Sequence, residues 1–300
     1  MANVTLPAPF AAPSHGLSMF SNTLITTEDL AAHLDDPNWV ILDCRFTLTD
    51  PGAGRVAYEK AHIPGARYAH LDDDLSAPVS ETTGRHPLPD PGALAEKLCQ
   101  WGVGVNKQVV VYDDSYGAMA TRLWWMKRWL GHPGVALLDG GYPKWLREKR
   151  PVNAEQPTPH RASCACLPEP TQIVTADEIM HASQSGEQLI IDARPERRFS
   201  GEFEPLDPVA GHVPGAINYP FDENLDMDGT FMPPEALREN YQALLKGKPA
   251  WQVLHMCGSG VTACHNILAM EIAGLPGSRL YPGSWSEWIT DPARPVATGE

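Results

Sequence analysis

No stretch of this sequence approaches the ~20 consecutive apolar residues that a bilayer-spanning helix needs, so a membrane role is not expected. The N-terminus, Met1-Ala2-Asn3-Val4, lacks a basic segment followed by an apolar core, so no secretory signal is expected and the expected compartment is the cytoplasm. Basic residues are scarce: 23 Lys and Arg stand against 37 Asp and Glu, a formal net charge of -14. Such an excess repels phosphate backbones and argues against a nucleic-acid partner. It does not prevent a small anion from binding at a local cluster of arginines and backbone amides. Cysteine is also sparse, with Cys44, Cys99, Cys164, Cys166, Cys257 and Cys264. Such a chain is not expected to rest on a disulfide scaffold. Paired zinc ligands at Cys-x2–4-Cys spacing are missing, and the single-residue spacer of Cys164-x-Cys166 is too short, so no metal site is expected.

What the chain has is length and apolar content. Three hundred residues, 43% of them hydrophobic, suffice for two domains with real cores, or for one large one. An internal repeat favours two. Trp39-Val-Ile-Leu-Asp43 with Arg45 is answered by Leu189-Ile-Ile-Asp192 with Arg194. His62-Ile-Pro-Gly-Ala66 is answered by His212-Val-Pro-Gly-Ala216, and Gln108-Val-Val-Val-Tyr-Asp113 by Trp251-Gln-Val-Leu-His-Met-Cys257. Finally, Leu138-Asp-Gly-Gly-Tyr-Pro-Lys-Trp145 is answered by Tyr281-Pro-Gly-Ser-Trp-Ser-Glu-Trp288. The offset is nearly constant: 149 from Asp43 to Asp192, 150 from His62 to His212 and 144 from Asp113 to Cys257. Short apolar runs that end in polar residues read as buried strands, and helical stretches follow them. The expectation is an α/β chain of tandem domains, each a mostly parallel sheet flanked by helices. Residues 1–22 form an N-terminal arm, 23–150 the first domain, 151–170 a Pro-rich linker and 171–300 the second domain.

One segment carries chemistry. Cys257-Gly-Ser-Gly-Val-Thr-Ala263 follows a buried strand and opens a helix expected from about Val261 to Ile272. Gly258 and Gly260 let the backbone curl and turn its N–H groups inward, and the helix N-terminus adds unpaired donors and a positive dipole end. Such a cradle favours a thiolate over a thiol and would equally hold a persulfide anion. The residue six places after Cys257 is Ala263, so the Cys-x5-Arg pattern that grips tetrahedral oxyanions is missing and phosphoryl chemistry is disfavoured. In the first copy the cysteine position is held by Asp113, which cannot form a persulfide, so that domain is expected to be silent. Arg122-Leu-Trp-Trp-Met126 reads as a core helix, and Cys264 as a buried small residue that could alternatively act as a resolving thiol.

The doubled His-[Ile/Val]-Pro-Gly-Ala, the Leu-Asp-Gly-Gly…Trp and Gly-Ser-Trp-Ser-Glu-Trp segments and the cysteine loop resemble the rhodanese superfamily from about Asn22 to Trp288. The loop itself resembles that of the 3-mercaptopyruvate sulfurtransferases, whereas the thiosulfate branch typically has Arg and Lys where this chain has Gly258 and Ser259. The resemblance implies tandem rhodanese-like domains and a sulfur donor such as 3-mercaptopyruvate. It also implies a persulfide on Cys257 and a thiol acceptor, such as thioredoxin, or cyanide, with no metal or organic cofactor. Ser259 would relay a proton together with a histidine and an aspartate of the first domain. His62 and Asp50 are the candidates, His62 having a structural alternative because His212 repeats it. Arg198 would hold the donor carboxylate with Arg197 as alternative, while Gly258, Gly260, Val261 and Thr262 line the donor site. Arg194 is expected to be structural. The second substrate arginine of this branch is missing, since Glu204-Pro-Leu-Asp207-Pro208 holds none. Thiosulfate:cyanide sulfurtransfer and a non-catalytic sulfur-carrier or regulatory module are the competing readings.

Overall fold

The computed structural model describes residues 20–132, 134–158, 160–163 and 168–299. Cys164 and Cys166, and all of the N-terminal arm before Phe20, lie outside the described residues.

The first sheet contains β1 (Leu24–Ile25), β2 (Trp39–Asp43), β3 (Arg67–Tyr68), β4 (Gln108–Tyr112) and β5 (Val135–Leu138), in the spatial order β1-β5-β4-β2-β3. The second contains β6 (Leu189–Asp192), β7 (Ile217–Asn218), β8 (Val253–Met256) and β9 (Arg279–Leu280), in the order β7-β6-β8-β9. All of these pairings are parallel. The duplication shows in the topology. An isolated parallel bridge from Ile173 to Leu280 sets the second copy's first segment beside β9, as β1 lies beside β5. The α/β architecture read from the repeat is therefore the observed one.

The central strands are buried on both faces, which explains why they read as continuous apolar runs rather than alternating ones. Every residue of β4 is buried. Helices cover the sheets, and their ends follow local rules. The helix Ala176–Ser185 starts on a reciprocal capping box between Thr175 and Glu178 and ends at Gly186 in the left-handed region. The helix Ala120–Trp129, which contains Arg122, Trp124 and Trp125, is almost wholly buried and packs against the helix Ala263–Ile272 of the second domain. It belongs to the seam between the domains, where the core is continuous from one sheet to the other.

The strand-end motifs do the same work twice. Asp43 binds Arg45 at 2.6 Å, and Arg45 also donates to Ala61 O and lies over the Tyr142 ring. Asp192 binds Arg194 at 2.7 Å, and Arg194 donates to Gly211 O and lies over Trp285. Arg194 is thus a brace of the fold. Cys44, Cys257 and Cys264 are free and buried, whereas Cys99 is disulfide-bonded, which the sequence did not lead us to expect.

Candidate active site

Cys257 stands at the C-terminal end of β8, the end at which open parallel sheets collect their ligands. Its loop is fastened from behind by the helix Ser284–Trp288. The Cys257 and Gly258 carbonyls accept from the Trp285 and Ser286 amides at 3.0 and 2.9 Å. The Cys257 amide donates to Ser284 Oγ at 3.1 Å, and that hydroxyl donates onward to Tyr281 O at 2.9 Å. Ser284 adopts φ 53, a left-handed conformation that costs a non-glycine residue about 1 kcal/mol and that these two bonds hold in place. Gly260 has φ +74, and a Cβ there would lie 2.3 Å from Pro282 O, so only glycine fits this turn.

The loop leaves its amides unspent. Among the described residues, the N–H groups of Gly258, Ser259, Gly260, Val261 and Thr262 donate to no acceptor. The first domain shows what such a loop holds. There the equivalent position is Asp113, whose carbonyl accepts from Tyr142 N just as Cys257 O accepts from Trp285 N. The Asp113 carboxylate fills its own loop, accepting from Ser115 and Gly117 at 2.9 and 2.8 Å on one oxygen and from Met119 and Ala120 at 2.8 Å on the other. Its burial raises the carboxyl, and these four amides pull it back toward ionisation. The same cradle thus encloses a carboxyl side chain in one copy and presents a cysteine in the other.

Ser259 Oγ lies 2.7 Å from His86 Nδ1, and His86 Nε2 lies 3.2 Å from Asp72 Oδ1. Burial, reinforced by Arg122 and Arg85, pushes His86 down to about 3, so its imidazole is neutral. With Asp72 accepting from Nε2–H, Nδ1 is left to accept from the serine hydroxyl. Arg122 ties this arrangement across the seam, donating to His86 O at 2.8 Å and to Gly260 O at 3.0 Å.

Two arginines close over Gly258. A Cβ on that glycine would meet Arg85 Nη2 at 2.9 Å and Arg198 Nη1 at 3.4 Å. Arg198 is held by Glu204 at 2.8 Å and by Asp207 at 3.0 Å, and Asp207 also binds Arg85.

These positions sort the candidates. Cys257, Ser259, Gly258, Gly260, Val261, Thr262 and Arg198 are brought together. Arg197 is not: it is exposed, paired with Glu202 at 3.1 Å, and lies over the Phe203 ring. His62 must be corrected. It is completely buried, stacks on Tyr58 at 4.0 Å and bonds to Tyr58 O and Glu155 O at 2.7 and 3.0 Å. His212 repeats the arrangement with Phe199, stacking at 3.8 Å and bonding to its carbonyl at 2.8 Å. Both histidines anchor the chain that leaves their domain, through antiparallel bridges to Asn153 and to Ala297. Asp50 is likewise corrected, being exposed in the turn before the helix Ala53–Lys60 and touching neither Ser259 nor His86. The residues missed are His86, Asp72 and Arg85. The signal for His86 and Arg85 was Gly84-Arg85-His86-Pro87, a basic pair between turn residues with no counterpart in the second copy; Asp72 had none. Cys264 is a buried neutral thiol, pushed up to about 12 by burial, with its Sγ 3.4 Å from Gly260 O.

A cysteine at a strand end inside an anion cradle, beside a serine, a neutral histidine and a carboxylate, in one of two like α/β domains, defines a sulfur-handling enzyme. The model of the rhodanese-like domain matches residues 26–148 and 175–291, and the chain belongs to the rhodanese family. Among its relatives is a probable 3-mercaptopyruvate sulfurtransferase of Pseudomonas aeruginosa, 49% identical over 94% of this chain and 100% of the relative. A putative thiosulfate sulfurtransferase, SseB of Mycobacterium tuberculosis, is 38% identical over 92% of this chain and 97% of the relative. Among solved structures, the 3-mercaptopyruvate sulfurtransferase SseA from Escherichia coli superposes with a TM-score of 0.74 at 32% identity, covering 88% of this chain and 98% of that one. The chain is a sulfurtransferase. No helix among the described residues is long and apolar enough to cross a membrane.

Proposed function

We propose that the chain takes sulfur from 3-mercaptopyruvate onto Cys257 as a persulfide, releases pyruvate, and hands the sulfur to a thiol or to cyanide. The Cys257 thiolate attacks the donor sulfur, and the carbon–sulfur bond breaks with its electron pair moving to the methylene carbon. The enolate so formed must take up a proton to leave as pyruvate. The observation that carries the reading is the chain Ser259–His86–Asp72 meeting the cysteine loop. A neutral imidazole can receive the donor's thiol proton through Ser259, be steadied by Asp72 while charged, and return the proton to the carbon. Thiosulfate has no such need, because sulfite departs without protonation.

In the second half-reaction an acceptor thiolate attacks the outer sulfur and regenerates Cys257. A small thiol or a dithiol protein such as thioredoxin fits that step.

The pair Arg85 and Arg198 gives thiosulfate, a dianion, its own claim, which the name of the Mycobacterium relative echoes. Against it, Glu204 and Asp207 already balance both guanidinium charges. Turnover on the two donors with cyanide as acceptor separates the readings, and a clear preference for thiosulfate would overturn ours. Intact-mass measurement after donor treatment tests the carrier: the expected gain is one sulfur, lost in Cys257→Ser. No gain would leave only a binding module.

A further inference from the structure

Asp72 ends the chain Ser259–His86–Asp72, yet its own side chain does little to hold it. The carboxylate is 42% exposed and, among the described residues, bonds to His86 alone. It stands in a turn between β3 and the helix Pro91–Gln100. His70 holds that turn. Its Nε2 lies 3.0 Å from Pro51 O, a carbonyl that can only accept, so the ring donates there from Nε2–H. Nδ1 is left as a bare lone pair, and the amides of Asp72 and Asp73 both donate to it at 3.2 Å. The Asp73 carboxylate is farther off, 3.5 Å from Nδ1, so the amides claim that nitrogen. Asp74 clamps the main chain of His70 in turn. His70 N donates to Asp74 Oδ2 at 2.8 Å, Asp74 N donates to His70 O at 3.0 Å, and Asp74 Oδ1 binds Lys97 at 2.5 Å. The Phe46 ring stands perpendicular to both imidazoles, 5.2 Å from His70 and 6.4 Å from His86.

We propose that His70 is a positioning residue: its Nδ1 lone pair fixes the main chain at Asp72 and so aims the carboxylate that orients His86. The inference deepens the mercaptopyruvate reading, since only that donor calls on the proton path through His86. The two copies agree with it. His70 stands eight residues after His62, and Pro220 stands eight residues after His212. The domain that supplies Asp72 and His86 therefore has a side-chain acceptor at this place, and the other domain has none. The chemistry gives the reason. With Asp72 in place, His86 keeps its proton on Nε2 and offers bare Nδ1 to the Ser259 hydroxyl at 2.7 Å. With Asp72 displaced, either ring nitrogen can carry that proton, and an Nδ1–H facing Ser259 cannot take another.

Two substitutions in the full chain separate aiming from mere support. Asn puts its carbonyl oxygen where Nδ1 stands but does not reach Pro51 O. Gln reaches Pro51 O with its amide and leaves nothing at Nδ1. With mercaptopyruvate, His70→Asn should keep kcat within about threefold of the parent. His70→Gln should lose about 10–10² in kcat with KM within about threefold. Thiosulfate turnover should stay within about threefold in both. Added to His86→Asn, His70→Gln should cost nothing further. The second readout needs no donor: nitrogen–proton correlation spectra of the ¹⁵N-labelled imidazoles, with His86 assigned by its loss in His86→Asn. In the parent both His70 and His86 should show bare Nδ1 and protonated Nε2. His86 should stay so in His70→Asn and move toward a mixture of tautomers in His70→Gln. A protonated Nδ1 on His70 in the parent overturns the proposal. So does a His86 ring indifferent to His70→Gln, a loss in His70→Asn as large as in His70→Gln, or a further loss in the double variant. A His86 ring that follows His70 in a chain that does not turn over mercaptopyruvate would sink the donor reading and leave the positioning standing. Brisk mercaptopyruvate turnover that ignores His70→Gln would do the reverse.

Discussion

His86 Nδ1 lies 2.7 Å from Ser259 Oγ, joining a loop of the first domain to the cysteine loop of the second. Replacing His86 by Asn, or Ser259 by Ala, should lower kcat for mercaptopyruvate by about 10²–10⁴, the usual worth of positioned acid–base catalysis. Turnover with thiosulfate should fall far less, because its leaving group needs no proton. Steady-state kinetics with both donors checks this, and equal losses on the two would count against a proton relay.

His62 makes the opposite prediction. Its two backbone bonds and its stacking on Tyr58 hold the domain's exit segment. His62→Leu should cost about 2–3 kcal/mol of stability, at roughly 1 kcal/mol for each hydrogen bond plus unpaired carbonyls. Turnover per folded molecule should stay within about twofold of the parent. Urea unfolding and active-site titration together measure the two effects.

The cradle should fail at its two strained points. Gly260→Ala must push a Cβ against Pro282 O in a left-handed turn, and Ser284→Ala leaves the Cys257 amide without its acceptor. Each is expected to cost about 1–3 kcal/mol and to slow alkylation of Cys257 by iodoacetamide at neutral pH. Unchanged alkylation rates in both would show that the loop's shape does not govern the thiol.

Buried histidines predict acid lability. Burial pushes His255 and His265 down to about 3 and, with Lys127 nearby, His132 to about 4. Unfolded, each takes up a proton near 6.5, so between that value and its folded one the unfolded chain binds more protons. Stability is therefore unaffected by these groups above pH 6.5 and falls as pH drops below it, by about 1.4 kcal/mol per pH unit for each proton. His255→Leu should flatten the slope of unfolding free energy between pH 6 and 4.5 by about one such proton. An unchanged slope would mean that His255 titrates normally in the fold.

Much of the architecture was legible because the duplication writes it twice. The strands β2, β4, β6 and β8 announce themselves as apolar runs, and the anion cradle follows from the glycines around Ser259. His62 misled because it shares a motif with His212, and what both copies share turned out to serve the fold. The proposed chemistry draws on what the copies do not share: Cys257 against Asp113, and the coil around His86, which has no partner in the second half. Asp72 was illegible and Arg85 only faintly legible, for a physical reason. They lie outside any helix or strand, so no periodicity marks them; Asp72 meets His86 across a loop, and Arg85 is put in place by Ser286, 201 residues on.

Arg122 carries one further implication. Its guanidinium grips main-chain oxygens of both halves, at His86 and Gly260, and is wholly enclosed. Both acceptors are peptide carbonyls, so a side-chain replacement at either partner position leaves its acceptor oxygen in the chain. Parting the halves to admit a bulky visitor would strand a charge in an oily crevice. The surroundings of Cys257 therefore need both halves: Arg122 and His86 come from one, Gly260 and Ser259 from the other.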